Sequence, residues 1–465
     1  MTERIGSWLA AASPNVLEPL WRRFRASPVS VRLARGVFWS LVGAVIARGL
    51  GVVSSIIVAR MLGITAFGEF TMIQSTVGLF GTFAGLGLGI TATKYVAELR
   101  ETDPVRCGRV MGLILMVATV GGLVAGAALV FFAPWMATNT LAAPKLASLL
   151  RAGSLLVLFS TLQGVYSGAL GGFEAFKRVA HVNWMGAVLG TPLLVVCTLA
   201  GGLKGAVWGN VIQIALGCVI GHLALAMEAA KRSVRLSYAL DWSDCHILWR
   251  FSLPAFLSST LFGPVNWFCN TYLANQNQGY QEVALTNAAG QWRNFLIFLP
   301  ATMTTVLVPM FSNLYHAGNR AEFEKLLRRN MVINVGVSLA LSVPIALFAT
   351  TIMNWYGPGF RRGVPVFLIT VFGTALTAAG NLFSRAMQAT GRAWIEMTFS
   401  ALWAVALIVG SLLLVPSYKA VGLVSAHLIA AFALVVWQWL LVRRIFTRGG
   451  TVPVRLGGTE PAGSR

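Results

Sequence analysis

From Val37 to Val58 the chain carries a single charge, Arg48, in an otherwise apolar run. About 20 apolar residues rising ~1.5 Å each cross a ~30 Å hydrocarbon layer, so the run reads as a membrane helix with an arginine near mid-depth. Against lipid such a charge costs from ~3 to more than ~10 kcal/mol, so it has to face protein or water. Ala44, Gly51 and Ser55 share its helical side and are small, which leaves room beside the guanidinium. Two environments satisfy these constraints: a cavity wall, which the small neighbours favour, or the helix-end carbonyls of an adjacent span.

The same pattern recurs along the chain. Apolar runs fall at 37–58, 67–91, 110–133, 146–170, 179–201, 205–228, 251–273, 283–311, 331–353, 364–388, 394–415 and 420–442. With 56% hydrophobic and 11% charged residues over 465 positions, the expectation is an all-α polytopic membrane protein of about twelve spans, without room for a sizeable soluble domain. The five cysteines have no C-x-x-C or Cys/His ligand spacing and read as packing residues. A net charge of +21 raises the question of nucleic acid, but the basic residues are dispersed between apolar runs, so no nucleic-acid partner is expected.

Their placement instead sets a topology. Of 36 Lys and Arg, 27 fall on the face of the N-terminus, seven on the opposite face (Arg60, Lys145, Arg151, Lys204, Arg361, Arg362, Lys419), and Arg48 and Arg293 lie within the bilayer. Cytoplasmic loops carry such an excess, which puts both termini in the cytoplasm and requires an even number of spans. Residues 1–35 and 446–465 read as cytoplasmic tails. In the first, Leu20, Trp21 and Phe24 beside Arg22, Arg23 and Arg25 suit a short helix lying on lipid headgroups. The longest connection, Ala229 to Arg250, holds Asp241 and Asp244 and divides the spans into lobes 36–235 and 236–445.

The lobes resemble each other. LGGFEAFKRV after the fourth run matches QATGRAWIEM after the tenth, and GGLKGAVWGN opening the sixth matches SYKAVGLVSA opening the twelfth. FAPWMATNTLAAPKL and MNWYGPGFRRGVPVF correspond in the loops before runs four and ten. Two six-span repeats in the same orientation imply a pseudo-two-fold axis along the membrane normal with a central site between lobes, an architecture of alternating access.

Arg293 lies within NAAGQWRNF of the eighth run, where Asn287, Gln291 and Asn294 share one helix face, and Asn266 and Asn270 are one turn apart in the seventh. Arginine forks match phosphate and amides suit sugar hydroxyls, so Arg48, Arg293 and these five amides form a candidate site for a lipid-linked sugar phosphate. For any single amide, helix-to-helix hydrogen bonding is an equal reading. None of the fifteen acidic residues falls mid-span, so no buried carboxylate is expected for ion coupling or acid/base chemistry. No metal or cofactor motif occurs. His222 and His427, inside spans, read as interhelical hydrogen-bonding residues, and GLGLG at 85–89 as close helix packing or a hinge.

LGITAFGEFTMIQS, with its Leu-Gly-x-x-x-Phe-Gly opening of the second run, LGLGITATKYVAE at that run's end, Pro309 in VLVPMFS and the QATGR turn together resemble the polysaccharide transporters of the multidrug/oligosaccharidyl-lipid/polysaccharide superfamily, the Wzx-type flippases, over about Ala34 to Val442. The resemblance implies two lobes of helices, a cationic cavity lined by the first, second, seventh and eighth helices, and outward flipping of undecaprenyl-pyrophosphate-linked oligosaccharide in the bacterial inner membrane. It implies as partners the lipid-linked oligosaccharide, membrane lipids and other polysaccharide-assembly proteins. A multidrug antiporter of the same fold is one alternative. A membrane glycosyltransferase or polymerase is the other, and would need a catalytic acid or a sizeable outer loop.

Overall fold

The computed structural model describes residues 28–237, 260–389 and 393–447. The headgroup-lying turn expected at 20–25, the tail beyond 447, Asp241, Asp244, Cys245, the start of the seventh span and part of the QATGR turn lie outside them. The described residues form helices, with no strand among them: α1 (Pro28–Gly85), α2 (Leu88–Leu99), α3 (Pro104–Trp135), α4 (Ala147–Gly172), α5 (Phe176–Lys231), α6 (Phe262–Ala274), α7 (Gly279–Leu296), α8 (Phe298–His316), α9 (Arg320–Leu347), α10 (Ala349–Trp355), α11 (Val364–Ala389) and α12 (Ala393–Thr447). Residues 28–35, read as tail, are helical and continue the first span.

Three of these helices hold two spans each: α1 has 58 residues, α5 has 56 and α12 has 55, and a straight helix of that length would run over ~80 Å. Each is interrupted at one residue of positive φ: Gly63 (φ 77°), Gly202 (φ 54°, ψ −131°) and Lys419 (φ 49°, ψ −124°). After the last two, the chain folds back on itself. Gly205 packs on the carbonyl of Cys197 and Gly209 on Leu194, while Gly422 packs on the carbonyl of Leu414 and Gly410 on Ala426. The two turns share dihedrals and a glycine three residues on, so the internal repeat extends to backbone geometry. With α7 and α8 counted as one bent span, the helices make about twelve spans in two six-helix lobes.

The turns alternate between two faces. Those near 63, 140, 278, 360 and 419 meet on the far face: Asn275 donates to Thr140 O (2.7 Å), Tyr280 to Leu141 O (2.6 Å), Arg362 to Gln281 (2.8 Å), and Ala420 N to Glu282 (3.3 Å). Those near 100, 173 and 232 meet on the basic face, where Arg100 reaches Gly172 O (2.9 Å) and Arg232 reaches Phe173 O (2.7 Å). GLGLG is both hinge and packing surface. Leu86 and Gly87 have positive φ (42° and 69°) and end α1, while Gly89 lies in backbone contact with Gly164 and Gly168 of α4.

Burial distinguishes the two halves. Toward the far face one apolar cluster joins both lobes, bringing Phe67, Phe70 and Leu141 together with Val283, Tyr356 and Phe360. Toward the basic face each lobe has its own cluster, one around Leu88, Met111 and Phe173 and the other around Phe311, Phe323 and Phe383. The lobes are therefore joined at the far face and part toward the basic one.

The Leu-Gly-x-x-x-Phe-Gly stretch acquires a physical account here. Gly63 makes the turn, Phe67 packs edge-on against Phe360 (6.1 Å between centroids), and Gly68 lies directly on the carbonyl of Tyr280 in the other lobe.

Candidate functional site

A cavity of about 450 Å³ opens within the membrane-spanning region. Six of the expected residues line it: Asn266 and Asn270 from α6, and Asn287, Gln291, Arg293 and Asn294 from α7. Helical spacing put these amides on adjoining faces, and the fold turns those faces inward. The cavity is not shared evenly, as a central site between lobes would be. Its walls come from α6, α7, α11 and α12, and among the described residues Thr71 alone represents the first lobe.

The α11 and α12 walls were not anticipated. Thr370, Gly373, Thr377, Asn381 and Ser384 recur every three or four residues along α11 and form one polar stripe. That spacing is present in the sequence, but small uncharged residues in an apolar run read equally well as packing. From α12 come Trp403 and His427. Trp403 lies against Phe262 (4.7 Å between centroids), making an aromatic wall, and His427 joins helices as its type suggested. His427 Nε2 faces Asn266 Oδ1 at 3.2 Å and Nδ1 faces Leu423 O at 3.0 Å. His222, outside the cavity, packs edge-on against Tyr166.

Arg293 has no hydrogen-bond or ion-pair partner among the described residues, and no carboxylate lines the cavity. A guanidinium in a low-dielectric wall with its donors unengaged is complementary to an anion, and its planar fork matches phosphate oxygens. The surrounding amides and hydroxyls can both donate and accept, as sugar hydroxyls require.

Arg48 does not line the cavity. Its Nη1 donates to the carbonyl of Asn294 at 2.9 Å and its guanidinium lies 4.6 Å from the centre of the Phe298 ring. The helix-end alternative is thus the geometry found, and the cause is a proline. Pro300 lacks the N–H that would bond Leu296 O, and its ring crowds that carbonyl, so α7 ends at Leu296 and α8 resumes at Phe298 with a 40° bend. Arg48 engages a carbonyl at that bend.

Buried carboxylates do exist, contrary to expectation, at span ends. Glu69 at the far end of the second span pairs with Lys145 (2.6 Å), Glu282 at the far end of the eighth with Arg362 (3.3 Å), and Glu228 at the basic end of the sixth with Arg178 (2.6 Å). Loops folded over these ends bury them, a tertiary effect that position within a run does not reveal. Cys107, Cys218 and Cys269 are buried free thiols in the apolar packing, and no metal-ligating cluster occurs among the described residues.

Comparison with known proteins agrees with this architecture. The chain is 23% identical over 393 residues to the EPS I polysaccharide export inner membrane protein EpsE of Ralstonia solanacearum, covering 84% of this chain and 88% of that one. Its fold matches an inward-facing multidrug resistance MATE transporter of the MOP superfamily with a TM-score of 0.68 at 15% identity, covering 88% of this chain and all of that one. It matches the lipid II flippase MurJ, in an inward closed conformation, with a TM-score of 0.66 at 13% identity over 89% and 87% of the two chains. The model of the polysaccharide biosynthesis protein family matches residues 33–315, more than half of the chain, and the chain belongs to that family.

Proposed function

We propose that the chain flips undecaprenyl-pyrophosphate-linked oligosaccharide from the cytoplasmic to the outer leaflet by alternating access, with units 36–235 and 236–445 rocking against each other. The observation that carries this reading is Arg293: a cation without an acceptor among the described residues, set among amides and hydroxyls in a membrane cavity whose described lining holds no carboxylate. Arg293 would hold the pyrophosphate, while Asn266, Asn270, Asn287, Gln291, Asn294 and the α11 stripe hold the sugars. The basic face is the cytoplasmic one, since it carries the Lys and Arg excess, and both tails lie there. The state described is then open inward, ready to load from the cytoplasmic leaflet. A multidrug antiporter fits less well, because organic cations call for a carboxylate that the cavity does not offer.

Moving one charge through 100 mV is worth ~2.3 kcal/mol, so a pyrophosphate with about two negative charges leaving a negative cytoplasm gains ~5 kcal/mol. The substrate's own charge supplies the drive in this reading. The test is translocation of a labelled undecaprenyl-pyrophosphate glycan in proteoliposomes, with the potential clamped by potassium and valinomycin at fixed pH. Flipping that follows the potential is expected. Absence of flipping, or flipping that follows only a proton or sodium gradient, refutes the corresponding part.

A further inference from the structure

The last backbone bond of α7 runs from Ile297 N to Arg293 O (2.9 Å) and the first of α8 from Ala301 N to Ile297 O (3.0 Å). The carbonyl of Asn294 lies in the gap between them. In an unbroken helix it would accept from Phe298 N, whereas here it accepts from Arg48 Nη1. Arg48 belongs to the first lobe and the bend to the second, so this bond crosses the lobes. It lies nearer mid-depth than the cross-lobe bonds of Asn275 and Tyr280 at the far face. The Arg48 side chain is exposed, and the bond to Asn294 uses one of its five N–H donors. Arg293, whose fork has no partner among the described residues, is the residue immediately before Asn294.

We propose that Arg48 is an anion-operated latch on the eighth span. A phosphate held by Arg293 draws the Arg48 fork away from the Asn294 carbonyl, because an oxyanion is a stronger acceptor for a guanidinium than a neutral carbonyl is. The released carbonyl then takes the Phe298 amide, one turn of helix closes, and the span moves toward straight. Each state satisfies the same carbonyl, once from the other lobe and once from its own helix. The bend is thereby a two-state element that both the cavity and the lobe contact bias, which is what coupling of occupancy to movement requires. Arg48 acts here as a positioning residue. The idea depends on the flippase reading only for the identity of the anion.

Hydrogen exchange of the full-length protein in nanodiscs tests it in two arms. Without ligand, Arg48→Gln removes the latch, and amide exchange at the far-face segments 62–72 and 353–363 is expected to rise about 10-fold or more, the size of a lost charge-assisted bond. Phe298→Leu, which removes only the ring under the guanidinium, should raise it about 3-fold and serves if the first variant does not fold. Unchanged exchange in the folded variants overturns the latch whatever the substrate is. In the second arm a short-chain prenyl-pyrophosphoryl-N-acetylglucosamine is added. Wild type should show raised far-face exchange on binding, whereas Arg48→Gln should bind through Arg293 and show no further rise. An equal ligand-induced rise in both proteins overturns the coupling role. If wild type does not bind this glycolipid, the substrate reading fails, while the ligand-free arm still decides the latch.

Discussion

The two lobes have one backbone plan and two different chemistries. Both reverse direction before their last span through a residue of nearly identical dihedrals, Gly202 and Lys419, and both brace the far end of their second span with a buried carboxylate, Glu69 on Lys145 and Glu282 on Arg362. The cavity does not follow this symmetry. Among the described residues Thr71 alone comes to its wall from the first lobe, whereas the second supplies Arg293, the amides, the α11 stripe and the aromatic wall. In the flippase proposed above, repetition of the backbone would provide two bodies that rock, recognition would need only one of them to carry polar groups, and the other would serve as a moving cover.

The sharpest way to break this comparison is to remove the charge that sets the lobes apart. Arg293→Ala should lower glycolipid flipping in proteoliposomes by about 100-fold or more, with insertion and thermal stability close to wild type, since truncating a charge contact in a desolvated site costs several kcal/mol of binding. Near-normal flipping by the protein that survives a large loss of expression would make the arginine structural.

The paired braces give the next effect, and here the lobes should differ. Lys145→Ala leaves Glu69 buried without its cation, at a cost of about 3 kcal/mol. Arg362→Ala should cost less, because Glu282 keeps the amide of Ala420 as a donor. Thermal unfolding in detergent orders the two. Equal losses would show that the Ala420 bond contributes nothing.

Much of this comparison was legible in the sequence. A bilayer imposes run length and basic-residue bias on any chain that crosses it, so the spans and their alternation follow from composition alone. The amides around Arg293 were legible because helical spacing fixes which residues share a face. Arg48 was not, since its partner is the backbone carbonyl of Asn294 at the bend before Pro300, 246 positions away in sequence, and a backbone acceptor has no residue-type signature. The α11 stripe was present as a spacing, but threonine, asparagine and serine between helices have two readings that only the fold separates. Glu69 and Glu282 were placed correctly at span ends, while their burial depends on loops that no local pattern describes.

The joint between lobes offers a smaller perturbation. Gly68 packs on the carbonyl of Tyr280, so a methyl group there meets backbone rather than a flexible side chain. Gly68→Ala should weaken the far-face contact by about 1 to 3 kcal/mol, the range for overpacking, and raise the far-face-open population by about 5- to 150-fold. Labelling of a cysteine placed at Phe360, now fully buried against Phe67 and Tyr356, reads that population. Unchanged labelling would mean that the two spans separate without cost and that the joint is not held by this contact.

The smallest effect tests whether the backbone repeat has the same energetics as well as the same shape. At φ 49° and ψ −124°, Lys419 occupies a region where a Cβ is strained, whereas Gly202 at φ 54° and ψ −131° is relaxed in the same turn. Lys419→Gly should relieve that strain, offset partly by the greater freedom glycine gives the unfolded chain, for a net gain of about 1 kcal/mol. Gly202→Lys should lose a similar amount. In a chain of this size such a change moves the melting temperature by only about 1 °C, so the comparison is best read from the double variant, where the two shifts should cancel. A Lys419→Gly protein that melts lower than wild type would mean that the lysine side chain makes a compensating contact at the far face, and that the second lobe has specialised at this turn as it has in its cavity.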